Sequence, residues 1–256
     1  MDAVNAQDAE PQIRGEGTSE HEWQSWAGLS ALDTFMPSHW LPATARLVVV
    51  APHPDDEILA CGGLLAWQAR RGGDCLVLAV TDGEASHGVP GPEAAARLAA
   101  ARRAESAAGL SHLGLTADLV CRLALPDGEI SLNLEALAAH LRRLLRPGDR
   151  VISTWREDGH PDHEATALAT AAACRDLGCP LLEAPVWMWH WAAPGDHRVP
   201  WRRLSRFALP QDLRARKIAA LSAHRTQLTR RSPDEPAVLG AAIIERNARA
   251  CEYFFA

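Results

Sequence analysis

Arg46-Leu47-Val48-Val49-Val50-Ala51 runs directly into Pro52-His53-Pro54-Asp55-Asp56-Glu57. The first six residues form a continuous apolar, β-branched run, as expected for a parallel strand covered on both faces. The next six read as a loop that turns into a helix over 57–71. The same succession repeats downstream. CLVLAVT (75–81) reads as a second buried strand, followed by a Gly/Pro-rich loop (82–92) and an Ala-rich helix over 93–113. LVCRL (119–123) is a short strand. Leu134, Leu137, Leu141, Leu144 and Leu145 mark one face of a third helix, which Pro147-Gly148 stops. RVISTW (150–155) is a fourth strand and 163–177 a fourth helix. PLLEAPVW (180–187) begins a fifth strand, and 211–223 is helical. Such alternation predicts an α/β fold: a Rossmann-like three-layer arrangement with a mostly parallel sheet.

The chain has 256 residues, 47% apolar and 23% charged, with a net charge of -6. That composition is globular. The acidic balance argues against a broad nucleic-acid surface. Six cysteines with no C-x-x-C spacing read as buried thiols rather than a disulfide framework or zinc site. The N-terminus lacks the basic and apolar regions of a signal peptide, and no apolar run approaches the ~20 residues of a membrane span. The expected location is the cytoplasm, with no integral membrane segment. Three parts are expected: a disordered polar tail over 1–20, a tryptophan-containing extension over 21–45, and one domain over 46–256. The extension carries Trp23, Trp26 and Trp40, and is expected to pack on the main domain or on a second copy in a homo-oligomer.

Two segments carry chemistry. Pro52–Glu57 follows the first strand of the alternation, and Gly159-His160-Pro161-Asp162-His163-Glu164 follows the fourth. Open α/β sheets bind ligands at the carboxyl ends of their strands, where strand order reverses. If those two strands are neighbours at that point, both loops face one crevice. A lone His-Pro-Asp is ordinary turn and cap chemistry. Two of them, both at strand ends, leave the histidines and the additional carboxylates unexplained by capping. Neutral imidazole and carboxylate suit zinc and iron(II). His53, Asp56 and His163 would supply two nitrogens and one oxygen and leave a position open for water. Asp55 then stands beside the ligands as a base for that water. His160 is left to face an oxyanion or leaving group, with Asp162 holding its ring.

PHPDDE at 52–57 together with HPDH at 160–163 resembles the PIG-L/LmbE family of metal-dependent de-N-acetylases. TDGE at 81–84, Arg102 to Glu105, LPDG at 125–128 and KIAALSAHRTQ at 217–227 are similar to the family as well. The resemblance implies the ligands His53, Asp56 and His163, the base Asp55, His160 as the group that stabilises the intermediate or protonates the amine, and Asp162 tuning His160. It implies a zinc-dependent hydrolase of linear amide C–N bonds, with iron(II) fitting the same ligands. The substrate would be an amino sugar or glycoconjugate such as an N-acetylglucosamine derivative, cleaved to acetate and a free amine. A thiol-conjugate amidase and a non-catalytic carbohydrate-binding relative are the alternatives.

Substrate contacts are harder to read. Trp155 precedes the second loop and is a candidate pocket wall. Asp127 is placed to bind a sugar hydroxyl. His224 shares a helical face with Lys217 and is placed to reach the pocket, and His87 to line its entrance. Val186–Trp191 has period two; as a strand it would put Trp187, Trp189 and Trp191 on one face, more for packing than for sugar stacking. A dinucleotide site lacks its G-x-G-x-x-G, and the acidic loop would repel pyrophosphate. An iron(II) oxygenase shares the ligand types but does not explain an adjacent base.

Overall fold

The computed structural model describes residues 13, 15–88, 91–232 and 235–256. Chain order begins with α1 (Glu20–Ser25), α2 (Ala27–Ser30), β1 (Asp33–Thr34), α3 (Pro37–Trp40), β2 (Leu47–Ala51), α4 (Asp56–Arg70) and β3 (Cys75–Ala79). It continues with α5 (Pro92–Leu113), β4 (Val120–Arg122), α6 (Leu134–Leu144), β5 (Arg150–Thr154), α7 (Pro161–Leu177) and β6 (Leu181–Ala184). The last elements are α8 (Met188–Trp191), β7 (Leu204–Ala208), α9 (Gln211–Ser222), α10 (Arg225–Leu228), α11 (Ala241–Asn247) and β8 (Cys251–Phe255).

The eight strands form one sheet in the order β1-β7-β8-β6-β5-β2-β3-β4. All neighbours are parallel except those of β8, which runs antiparallel between β6 and β7. From β2 the chain steps outward through β3 and β4, then returns to place β5 on the other side of β2, paired Leu47 to Arg150 through Val50 to Ser153. Strand order therefore reverses between β2 and β5, and the loops after these two strands share one crevice.

The sheet is covered on both faces, as the apolar runs require. Leu47 and Val49 of β2 point into a core with α4, α5 and α9. Val48 and Val50 point into a second core with α6 and α7. One break in regularity has a visible remedy. α4 kinks at Cys61, where φ is -151° and ψ is 29°. Beyond the kink the N–H groups of Gly63 and Leu64 donate to the Glu252 carboxylate of β8, at 2.6 and 2.9 Å. Lys217, the chain's single lysine, bonds Glu252 at 2.7 Å and the Leu59 carbonyl at 3.1 Å. Ions and backbone groups thus satisfy one another inside the core. A Cβ at position 63 would lie 2.4 Å from a Leu209 methyl, so any larger residue there would require that side chain to shift.

A third cluster is aromatic. Trp23 is fully buried, and its indole N–H donates to the Trp189 carbonyl at 2.9 Å. Its ring meets Trp189 edge-on at 5.1 Å, with Trp26 and Trp201 alongside. β1 pairs with β7 at the outer edge of the sheet. Residues 21–45 are therefore packed against the domain. Most of the polar tail expected over 1–20 lies outside the described residues. Within it, Thr18 is held by the backbone of His190 and the carbonyl of Ala192, and Ser19 caps α1. Trp23→Ala is expected to lower the stability of the protein by about 3–5 kcal/mol in denaturant titration. A loss below about 1 kcal/mol would show that this segment contributes little to the fold.

One expectation is corrected. The run 186–191 is not a strand. β6 ends at Ala184, and Met188–Trp191 is a helical turn, so Trp187, Trp189 and Trp191 go to different places. All six cysteines are free thiols.

Candidate metal centre and active site

The loop after β2 and the loop after β5 meet. Asp56 Oδ2 lies 3.1 Å from His53 Nδ1 and 3.2 Å from His163 Nε2. One donor atom from each of the three falls within 4.8 Å of the others. A single carboxylate oxygen between two imidazole nitrogens is satisfied either by a proton on each nitrogen or by one cation shared among the three. Donors around one tetrahedral zinc, with bonds of ~2.0–2.2 Å, stand roughly 3.3 Å apart. The donor set and its spacing therefore fit a divalent cation. The same proximity shows in proton affinities. Burial opposes a charge on His163, but the Asp56 and Asp158 carboxylates outweigh it and raise the ring to about 9. Burial would raise Asp56, yet His163 and His53 hold it well below the usual carboxylate range.

Each histidine has a carboxylate behind it. His163 Nδ1 lies 2.8 Å from Asp158 Oδ2. Asp158 is fully buried and also accepts from the N–H groups of Val186, Trp187 and Met188 at 2.9–3.0 Å. On the other side, His53 Nε2 lies 3.2 Å from both Asp162 Oδ2 and Asp127 Oδ1. Such partners fix the tautomer and aim the free nitrogen.

Asp55 sits beside this group. It is 5% exposed and has the left-handed φ of 139°, uncommon for a side-chain-bearing residue and typical of functional sites. Its N–H donates to Glu57 Oε2 at 2.9 Å, and Ser106 donates to the other Glu57 oxygen. Its carboxylate takes Arg102 Nη2 at 3.1 Å, and buried Arg102 also donates to the Pro54 and Gly83 carbonyls. Burial is the stronger influence and pushes Asp55 up to about 7, against the pull of Arg102.

His160 N-caps α7, and its Nδ1 accepts the Asp162 N–H at 3.2 Å. Burial, with His163 and His53 nearby, drives its pKa down to about 3, so the ring is neutral. With Nδ1 occupied as acceptor, the ring proton sits on Nε2. Trp187 stacks over it, centroids 6.4 Å apart and planes 23° from parallel. His53, Asp55, Asp56, Asp127, His160, His163 and Trp187 line one cleft of about 290 Å³.

Several expectations change here. Asp162 does not hold the His160 ring with its carboxylate, which instead accepts from Gly128 and Ile130 N–H and faces His53. Asp127 reaches the cleft, fixed by the Ala85 N–H at 2.8 Å. Trp155 is no pocket wall; it is 2% exposed and stacks on Phe255 at 4.6 Å in the aromatic cluster. His224 is fully buried behind the cleft, with neither ring nitrogen hydrogen-bonded, and burial takes its pKa down to about 3. His87 is tied to the Thr226 carbonyl at 3.0 Å. The sequence reading missed Asp158 and Glu57. The one cue for Asp158 was an acid five residues before His163.

Comparison with known proteins bears on this arrangement. Residues 48–174, which span both histidine loops, match the GlcNAc-PI de-N-acetylase family, PIG-L. Residues 48–174 are a PIG-L family domain. Beyond the PIG-L domain, the chain contributes Trp187, Gln227, Val238 and Leu239 to the same cleft. A 1D-myo-inositol 2-acetamido-2-deoxy-alpha-D-glucopyranoside deacetylase of Tsukamurella paurometabola is 28% identical, over 72% of this chain and 84% of its own. The protein of that name from Rhodococcus erythropolis is 29% identical, over 72% and 81%. Among solved structures, a zinc-inhibited form of teicoplanin deacetylase superposes with a TM-score of 0.61 at 20% identity, covering 82% of this chain and 97% of that one. A conserved protein of Thermus thermophilus gives 0.57 at 27%, covering 82% and 93%. These likenesses carry the Rossmann-like PIG-L fold across most of the chain.

Proposed function

We propose that this chain is a metal-dependent N-deacetylase, which hydrolyses the N-acetyl or other N-acyl group of an amino-sugar-containing substrate to a carboxylic acid and a free amine. The observation that carries the reading is the convergence of two His-Pro-Asp loops of a PIG-L domain on one cleft, with Asp56 between His53 and His163 and Asp55 anchored beside them by Arg102. The names of the curated relatives, deacetylases of an inositol glucosaminide, support an amino-sugar substrate.

His53, Asp56 and His163 would hold the metal, zinc or iron(II). When bound there, it would lower the pKa of a water and polarise the scissile carbonyl. Asp55 accepts the proton of the attacking water; its affinity near neutrality suits a base that must later release that proton. Arg102 keeps its carboxylate turned to the cleft. His160 offers its Nε2 proton to the carbonyl oxygen as negative charge gathers there. The amide C–N bond then breaks, and the proton carried by Asp55 is available to the departing nitrogen, so the amine leaves neutral. Asp127 is placed to meet a sugar hydroxyl. Among the described residues, no helix is long and apolar enough to cross a membrane.

Acetate release from N-acetylglucosamine and its simple glycosides tests the reading. Chelation is expected to depress the rate by about 1,000-fold, with recovery on adding one equivalent of zinc or iron(II). Release that survives complete removal of metal would refute metal dependence, and no release from any N-acyl amino sugar would refute the deacetylase.

A further inference from the structure

The cleft does not end at Trp187. A groove of about 700 Å³ adjoins it, and Trp187 and Val238 line both. One side of the groove is the N-terminal segment around Gly17 and Ser19. The other is the turn of chain leading into α11, with Val238, Ala241 and Ile243. Its surface is mainly apolar, with Glu16, Glu20 and Glu245 set among the apolar residues.

The N-terminal wall is held by contacts far apart in sequence. Thr18 N–H donates to the His190 carbonyl at 2.9 Å, and Thr18 Oγ1 to the Ala192 carbonyl at 2.6 Å. Arg246 Nη2 donates to the Thr18 carbonyl at 2.6 Å. Glu20, another lining residue, is engaged by Arg249 at 2.6 Å. Gly17 adopts the left-handed φ of 64° against His190, where a Cβ would lie 2.5 Å from the ring. A terminal segment ordered this closely, at this point, makes a fixed wall.

We infer that this groove is an aglycone subsite, and that the preferred substrates are N-acyl amino-sugar glycosides whose aglycone is apolar. The inference rests on the deacetylase reading and adds the substrate class to it. With the acyl-amino group at His53, Asp55 and His160, a sugar stacked on Trp187 would extend its aglycone past Val238 into the groove. A polyol aglycone would need hydrogen bonds along the whole groove, where the carboxylates are Glu16, Glu245 and Glu20, the last already engaged by Arg249, while most of the lining surface is apolar. An alkyl or aryl group needs only burial, which favours it by roughly 0.8 kcal/mol per methylene.

The test compares acetate release from methyl, octyl and phenyl N-acetylglucosaminides, below the micellar concentration of the octyl compound. Wild type is expected to favour octyl or phenyl over methyl by on the order of tenfold or more in kcat/KM. The octyl-to-phenyl ratio distinguishes an alkyl-chain aglycone from a flat aromatic one. Ala241→Trp, at an exposed position of the groove, and separately Ala237→Trp, are expected to cut the preference to within about threefold of unity. Equal rates for all three glycosides in wild type, or a preference that both variants retain, would overturn the subsite while leaving the deacetylase intact. Absence of acetate from the methyl glycoside and from all others would overturn both.

Discussion

Asp55→Asn is expected to lose about 100- to 10,000-fold in kcat while keeping its metal. The substitution is nearly isosteric, and asparagine tolerates the φ of 139° better than most residues. The amide can still accept from Arg102 Nη2, which retains its bonds to Pro54 and Gly83. It has no lone pair basic enough to take a proton from water. The loss should fall on kcat rather than KM, because Asp55 acts on the attacking water and not on the sugar. Metal content equal to wild type, with activity nearly abolished, separates a base from a ligand. A variant with more than a tenth of wild-type kcat would remove Asp55 from the mechanism.

Asp158→Ala is expected to be as damaging by another route. The carboxylate is fully buried and serves His163 Nδ1 and three backbone N–H groups at the start of α8. Removing it leaves several buried donors unsatisfied, each at about 1–3 kcal/mol, so a destabilisation of at least about 3 kcal/mol is expected. It also frees the His163 ring to turn, which should weaken metal binding by about 10- to 100-fold. Denaturant titration and competitive chelation measure the two effects. Asp158→Asn should recover part of the stability, since its amide oxygen can still accept from the backbone. Wild-type stability and affinity in Asp158→Ala would show that this carboxylate holds neither the loop nor the ligand.

The same residue explains why parts of this protein were illegible in its sequence. The strand–helix alternation from Arg46 to Leu177 is local, set by period and by breakers such as Pro147-Gly148, and it reads directly. The meeting of the two loops follows from β2 and β5 being neighbours, a pairing that the alternation permits and the folded sheet alone decides. Val186–Trp191 has the period of a strand, yet it forms a helical turn because Asp158, almost thirty residues earlier, gathers its N–H groups. Trp155 directly follows a sheet strand and precedes the cleft loop, but Phe255 of the antiparallel β8 stacks against it and draws it into the core. Asp162 neighbours His160 in sequence, but its carboxylate is claimed by the backbone of Gly128 and Ile130. In each case a partner distant in the chain decides the outcome, and no local pattern encodes it.

Metal content is the most direct test of the central claim. Elemental analysis of anaerobically purified protein should find about one zinc or iron per chain, and His163→Ala, assayed in the same way, should retain under about a tenth of that. Wild-type protein that carries no metal, and takes up none on reconstitution with zinc or iron(II), would contradict the assignment of His53, Asp56 and His163 as a metal centre.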